Sequence, residues 1–325
     1  MKTNILAATI AVLAVAGTAF PKSVLAAEEY PNRQIRFVVP YPPGGANDTV
    51  ARVLAQKLSE NMGQPVVVDN KPGASGMIAG EFVAKSVPDG YTVMIDQSSL
   101  VMNPALYPNS KFDVRQDLAP VTLAANMLHV LIVNPSVPAR DLAELIALAK
   151  AQPGRLNYSS TGTGGPQHIL MELFKRAAGI DIVHVPYKGG APATLAVLAN
   201  DVQMTFITVS TSLSHIKAGK VRVIAAVGRE RSKILPDVPT FAESGFKGLA
   251  TPWLGILAPS KTPAVIVKRL NVEFVAALNS AQVREKLEQQ AFEVVGSTPE
   301  AFGKFIDDEM ALYGKLIRDV GIKAD

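Results

Sequence analysis

Five times along the chain, a short apolar run rich in β-branched residues is followed by a loop and then by apolar residues at helical spacing. The first instance is 35–39, a Pro/Gly loop, and then 49–61 with Val50, Val53, Leu54 and Leu58 on one helical face. The others pair 66–68 with 77–85, 156–159 with 167–178, 182–185 with 193–198, and 204–208 with 212–218. Such alternation predicts an α/β fold with mostly parallel sheets covered by helices on both faces, because parallel neighbours need a crossover. Residues 93–95, 130–133 and 223–226 read as further buried strands, and after 253–258 the pattern turns to helices alone: 263–278, 281–290 and 299–320. Pro263 and Pro299 suit first helical turns. The 325 residues suffice for two domains. No low-complexity linker separates the halves, which predicts domains that exchange the chain more than once.

The first segment reads as an address. Met1-Lys2 is a positive start, 5–16 is apolar apart from Thr9, and Val24-Leu25-Ala26 offers small residues for a signal peptidase. A retained anchor is the competing reading, since 3–21 carries no charge, and Gly17, Pro21 and Lys22 argue against it. Residues 1–26 are therefore expected to be a signal peptide and the remainder a periplasmic protein, away from ATP and NAD pools. Loss of Lys2 and Lys22 with the leader lowers the formal net charge from +4 to +2. The bases are scattered among acids, so neither a nucleic-acid nor an anionic-membrane partner is expected. The absence of cysteine excludes disulfides, thiolate metal sites and a lipidated N-terminal cysteine.

Three loops share one grammar: Tyr41-Pro42-Pro43-Gly44-Gly45-Ala46-Asn47-Asp48, Ser160-Thr161-Gly162-Thr163-Gly164-Gly165-Pro166, and Pro186-Tyr187-Lys188-Gly189-Gly190-Ala191-Pro192. Each places glycines where a strand's carboxyl end meets a helix N-terminus, the position at which open α/β sheets bind ligands. Amide hydrogens at a helix start, together with the helix dipole, suit an anion such as a carboxylate or phosphate. A tight turn without a ligand is the plainer reading of any one loop; three of the same kind point to binding. Asp48 reads as a helix N-cap that also meets Arg52. Lys188 reads either as a partner for a ligand carboxylate or as a solvated lysine, and Trp253 as core packing where the chain leaves the second domain.

Other chemistries lack their residues. Gly162 and Gly164 begin a G-x-G-x-x-G pattern, and Asp181 lies at about the right distance, but position 167 is Gln. No P-loop and no G-x-S-x-G occurs, and the four histidines His129, His168, His184 and His215 show no H-x-x-x-H spacing. No cofactor, metal or catalytic constellation is expected.

The chain resembles the solute-binding proteins of tripartite tricarboxylate transporters, the Bug proteins. The likeness is carried by 39–45 through Asp48 and Arg52, by 70–74, 88–92, 158–168, 185–189, 216–220 and 235–240, and by 296–300, nearly the whole mature chain in order. It implies a type II periplasmic binding fold, with one domain from 27–125 and 251–325, a second from 126–250, and hinges near 126 and 250. It also implies a monomer that carries its ligand in the interdomain cleft to membrane permease subunits; a ligand sensor and an exported enzyme are the alternatives. Carried over residue by residue, the site comprises Tyr41, Pro43, Gly44, Asp48, Ser98 and Ser99 from domain one. Domain two supplies Thr161, Gly162, Thr163, Gly164, Gly165, His168, Lys188, Thr208 and Ser210. Many relatives have a carboxylate near 206–208 that could meet an ammonium group; Ile207 and Thr208 offer none, so the expected ligand is a dicarboxylate or aromatic carboxylate without an amino group. Pro43 stands where alanine is common and would reshape the pocket, whereas Asn200-Asp201, in place of a glycine-containing turn, reads as surface.

Overall fold

The computed structural model describes residues 30–320 apart from 229, 247, 248 and 250, so the expected signal peptide lies outside the described residues. The chain begins with β1 (Ile35–Val39), α1 (Ala46–Met62), β2 (Val66–Asn70), a 3₁₀ turn at Ala74–Gly76, and α2 (Met77–Ala84). It continues through β3 (Thr92–Gln97), α3 (Ser99–Leu106), the short α4 (Val114–Asp117) and β4 (Leu118–Met127). One residue later it is in a second unit: β5 (His129–Val133), α5 (Leu142–Ala151), β6 (Asn157–Ser160), α6 (Pro166–Ala178), β7 (Val183–Pro186), α7 (Gly190–Leu198), β8 (Met204–Thr208), α8 (Val209–Lys217) and β9 (Arg222–Ala226). The return brings β10 (Trp253–Pro259), α9 (Ala264–Asn279), α10 (Ala281–Glu288), β11 (Phe292–Val294) and α11 (Pro299–Val320).

Two sheets result, ordered β11-β4-β10-β3-β1-β2 and β7-β6-β8-β5-β9. In each, the strand by which the chain arrives from the other unit, β10 or β5, is antiparallel to both neighbours, while β1, β2 and β3 in one sheet and β6, β7 and β8 in the other run parallel. Apart from the edge strand β11, the two units share one topology, and the chain crosses between them twice. At the crossing Met127 N–H donates to Pro252 at 2.7 Å, and Val227 N–H donates to His129 at 2.8 Å, which binds the two connecting segments side by side.

The central strands β1, β5 and β10 are apolar on both faces over most of their length, as a sheet sandwiched between helices requires. Phe37 and Val39 pack toward α1 and α9 while Val38, one residue apart, packs toward α2 and α11; in the second sheet Leu131 and Val133 oppose Val130 and Ile132 in the same way. The apolar cluster around Trp253 also holds Ile169 of α6, so a dry contact joins the two lobes behind the cleft.

Two sequence expectations change. The segment after 259 is not purely helical, because Phe292–Val294 pairs with Ala125–Met127; three residues are too few to show alternation, and only the partner strand makes them a strand. Pro263 is the N-cap of α9 rather than its first residue. Strand β4 carries Pro120, a residue that weakens any strand reading. It is tolerated because the register slips between Ile256 and Leu257, where Pro120 pairs and its missing N–H costs least.

Candidate functional site

A cavity of about 80 Å³ lies between the lobes, several times the ~10–15 Å³ that one water needs. From the first lobe Tyr41, Pro42, Pro43, Gly45, Ala46, Asn47 and Gln97 line it. The second lobe contributes Thr161, Gln167, Lys188, Gly189, Gly190, Ala191, Pro192, Ile207, Thr208 and Thr211.

The wall combines the first turns of α1, α6, α7 and α8, through Ala46, Asn47, Gln167, Gly190, Ala191, Pro192 and Thr211, with loop and strand-end residues. The N-caps of these helices are Gly45, Gly165, Gly189 and Thr208, and none makes a side-chain capping bond. Polar residues usually satisfy such amides; here the helix starts face the cavity instead, with their positive dipole ends. Among the described lining residues Lys188 is the only charged one.

The expected site residues divide into two groups. Tyr41, Pro43, Thr161, Lys188 and Thr208 lie on the cavity wall. Gly44, Asp48, Ser98, Ser99, Gly162, Thr163, Gly164, Gly165, His168 and Ser210 are not among the residues that line it. Asp48 is not the N-cap but the third residue of α1, and its Oδ2 accepts from Gly44 N–H and Arg52 Nε, each at 2.9 Å, while Oδ1 accepts from Asn70 at 3.0 Å. Burial pushes its carboxyl up, but the hydrogen bonds from Arg52, Gly44 and Asn70 with the Arg52 charge outweigh it and leave the pKa lowered. The second loop spends its own amides: Gly162 N–H on Ser160 Oγ, Gly164 N–H on His168 Nδ1 at 3.0 Å, and Gly165 N–H on the Gly162 carbonyl. His168 and His184 stack at 4.0 Å, and the Tyr158 ring lies against both, at 6.4 and 4.9 Å. Ser99 bonds the Tyr41 hydroxyl at 2.8 Å and shares with Ser98 a fully buried position.

Asn47, Gln97 and Gln167 escape the sequence reading. Gln167 is the residue that breaks the dinucleotide pattern, and the glycines at 189 and 190 had the right grammar without a named role. Contact across the cleft runs from Ser75 Oγ to the Thr163 carbonyl at 3.2 Å.

Asp96, at the end of β3 beside Gln97, is fully buried; its Oδ1 accepts the Gln97 N–H at 2.7 Å, and its Oδ2 has no partner among the described residues. Burial pushes its pKa up from 3.8 to about 8. A raised carboxyl makes the folded state the better proton binder, so stability falls as pH rises from about 3.8 to about 8, by up to about 1.4 kcal/mol per unit. Asp96→Asn is expected to flatten that slope and raise the melting temperature at pH 7.5. Melting curves from pH 4 to 8 check this, and parallel profiles for the two proteins would contradict it.

Paired sheets of one topology, exchanged antiparallel strands and a cavity between them are the architecture of a type II periplasmic binding protein. Residues 50–322 match the family model described as tripartite tricarboxylate transporter family receptor (TctC), and the chain belongs to that family of periplasmic binding proteins. It is 38% identical to Protein BugT of Bordetella pertussis over 99% of this chain and 98% of that one. Among solved structures it is similar to R. palustris Rpa4515 with adipate, at 34% identity, TM-score 0.87 and coverage of 91% and 100%. It is similar also to MatC from Rhodopseudomonas palustris with bound malate, at 29% identity, TM-score 0.83 and coverage of 89% and 100%. No helix among the described residues is long and apolar enough to cross a membrane.

Proposed function

We propose that this protein is an exported, monomeric solute-binding protein that captures a small carboxylate between domain one (27–125 and 251–325) and domain two (126–250). It hinges at the paired crossing segments and delivers the ligand to the permease of a tripartite tricarboxylate transporter. Binding without catalysis is its whole role. The observation that carries this reading is the convergence of uncapped helix N-termini from both lobes on one cavity with Lys188, an arrangement that favours anions. The ligand is a dicarboxylate or an aromatic carboxylate without an amino group, since no ionised acid is among the described lining residues to meet an ammonium. Relatives solved with adipate and malate support the carboxylate class.

Tyr41, Pro43, Thr161, Lys188 and Thr208 touch the ligand in this proposal, with the amides of 45–47 and 189–191. Gly44, Asp48, Ser98, Ser99, Gly162, Thr163, Gly164, Gly165, His168 and Ser210 hold those groups in place. Thermal-shift screening tests the ligand class: an acid at a hundred times its dissociation constant stabilises by about 2.7 kcal/mol. A melting curve moved only by amino acids, sugars or metals would overturn it.

A further inference from the structure

A hydrogen-bond relay behind the cavity gives its wall a polarity. His129 opens β5 one residue after the crossing and is fully buried. Its Nδ1 faces the Met127 carbonyl at 3.4 Å, and its Nε2 lies 3.1 Å from Gln167 Nε2 and 3.2 Å from Thr208 Oγ1. Burial pushes the ring's pKa down to about 4, so at neutral pH it carries one ring proton. With that proton on Nδ1 the Met127 carbonyl finds a donor; the opposite tautomer would turn a lone pair toward that oxygen. Nε2 then only accepts. Gln167 donates to it through Nε2 and turns its Oε1 to Thr161 Oγ1, 2.6 Å away. An amide oxygen cannot donate, so the threonine gives its proton inward. Thr208 also meets the unprotonated nitrogen as a donor.

We infer that Thr161 offers the cavity lone pairs rather than a proton, that His129 is the positioning residue behind this, and that the bound acid carries a hydroxyl on its carbon chain. This rests on the carboxylate reading above. Carboxylate oxygens accept only, so they belong at the helix-start amides, and a donor must answer Thr161. From the other lobe Asn47 also lines the cavity, its Nδ2 donating to Gln97 Oε1 at 3.3 Å and its Oδ1 buried without a partner among the described residues. A hydroxyl fits better than an ammonium, because neutral acceptors leave a cation uncompensated.

Titration calorimetry with chain-matched pairs tests the inference: succinate against malate, glutarate against 2-hydroxyglutarate, adipate against 3-hydroxyadipate. In the best-bound pair the hydroxy acid is expected to bind about tenfold more tightly, the scale of one good hydrogen bond. Thr161→Val should erase the preference by weakening the hydroxy acid alone, and Thr161→Ser should keep it. Equal affinities within the pairs, or a preference that survives Thr161→Val, would overturn the inference and leave the carboxylate reading intact; binding of no acid would overturn both. Nitrogen-15 spectra of the imidazoles, assigned with His129→Gln, should show His129 protonated at Nδ1 at neutral pH. Protonation at Nε2 would remove its positioning role.

Discussion

Replacement of Gly164 by valine should weaken carboxylate binding by roughly 10- to 100-fold while the protein still folds. Two effects separate here. Gly164 has φ +76°, a left-handed conformation that an L side chain, above all a β-branched one, adopts only with strain. That strain, about 1–2 kcal/mol, is present whether the lobes are open or shut, and it lowers stability. A Cβ at 164 would also sit 2.7 Å from Leu106 Cδ1 on the opposing lobe. In the proposed hinge motion Leu106 meets it only when the lobes close, so this overlap, at about 1–3 kcal/mol, is expected to lower affinity. Leu106→Ala in the same chain should recover affinity without recovering stability. Calorimetry and thermal melting on the three variants check the split; undiminished affinity in Gly164→Val would detach the second loop from closure.

Trp253→Ala should cost about 3–5 kcal/mol of stability, the range for deleting a large aromatic from a core. The indole is fully buried at the start of β10, edge-on to Phe302 and Phe305 at 5.5 and 5.6 Å, and its Nε1 donates to Glu309 Oε2 at 3.1 Å. Truncation therefore opens a cavity and removes the donor of a buried carboxyl whose pKa burial already raises. Trp253→Phe keeps most of the packing and should lose only about 1–2 kcal/mol. Trp253 is the sole tryptophan, so urea unfolding is followed by circular dichroism. A loss below about 1 kcal/mol in the alanine variant would show that the surrounding helices collapse onto the site.

Local pattern reaches far in this chain. The strands at Ile35–Val39 and Met204–Thr208 and the helix Pro299–Val320 have the bounds that periodicity gives them, because each follows from side chains that are neighbours in sequence. β11 does not: Phe-Glu-Val is a strand only beside Ala125–Met127. Nor does α3, which carries Pro104 and starts beside two serines that read as site residues. In the cleft, glycine loops mark where helices begin, yet of 161–165 only Thr161 reaches the wall. The glycines of that loop turn their amides to their own neighbours, a use that only its folded shape reveals.

The order of strands, loops and helices, the anion-ready helix starts and the family itself were written in the sequence, since each depends on residues a few positions apart. Which helix starts face one another, and which way Thr161 points its proton, was decided by the tertiary structure. Gln167 and His129 are 38 residues apart, and a hydrogen bond over that distance has no local signature. Its direction is set by the carbonyl and imidazole that folding brings to 129.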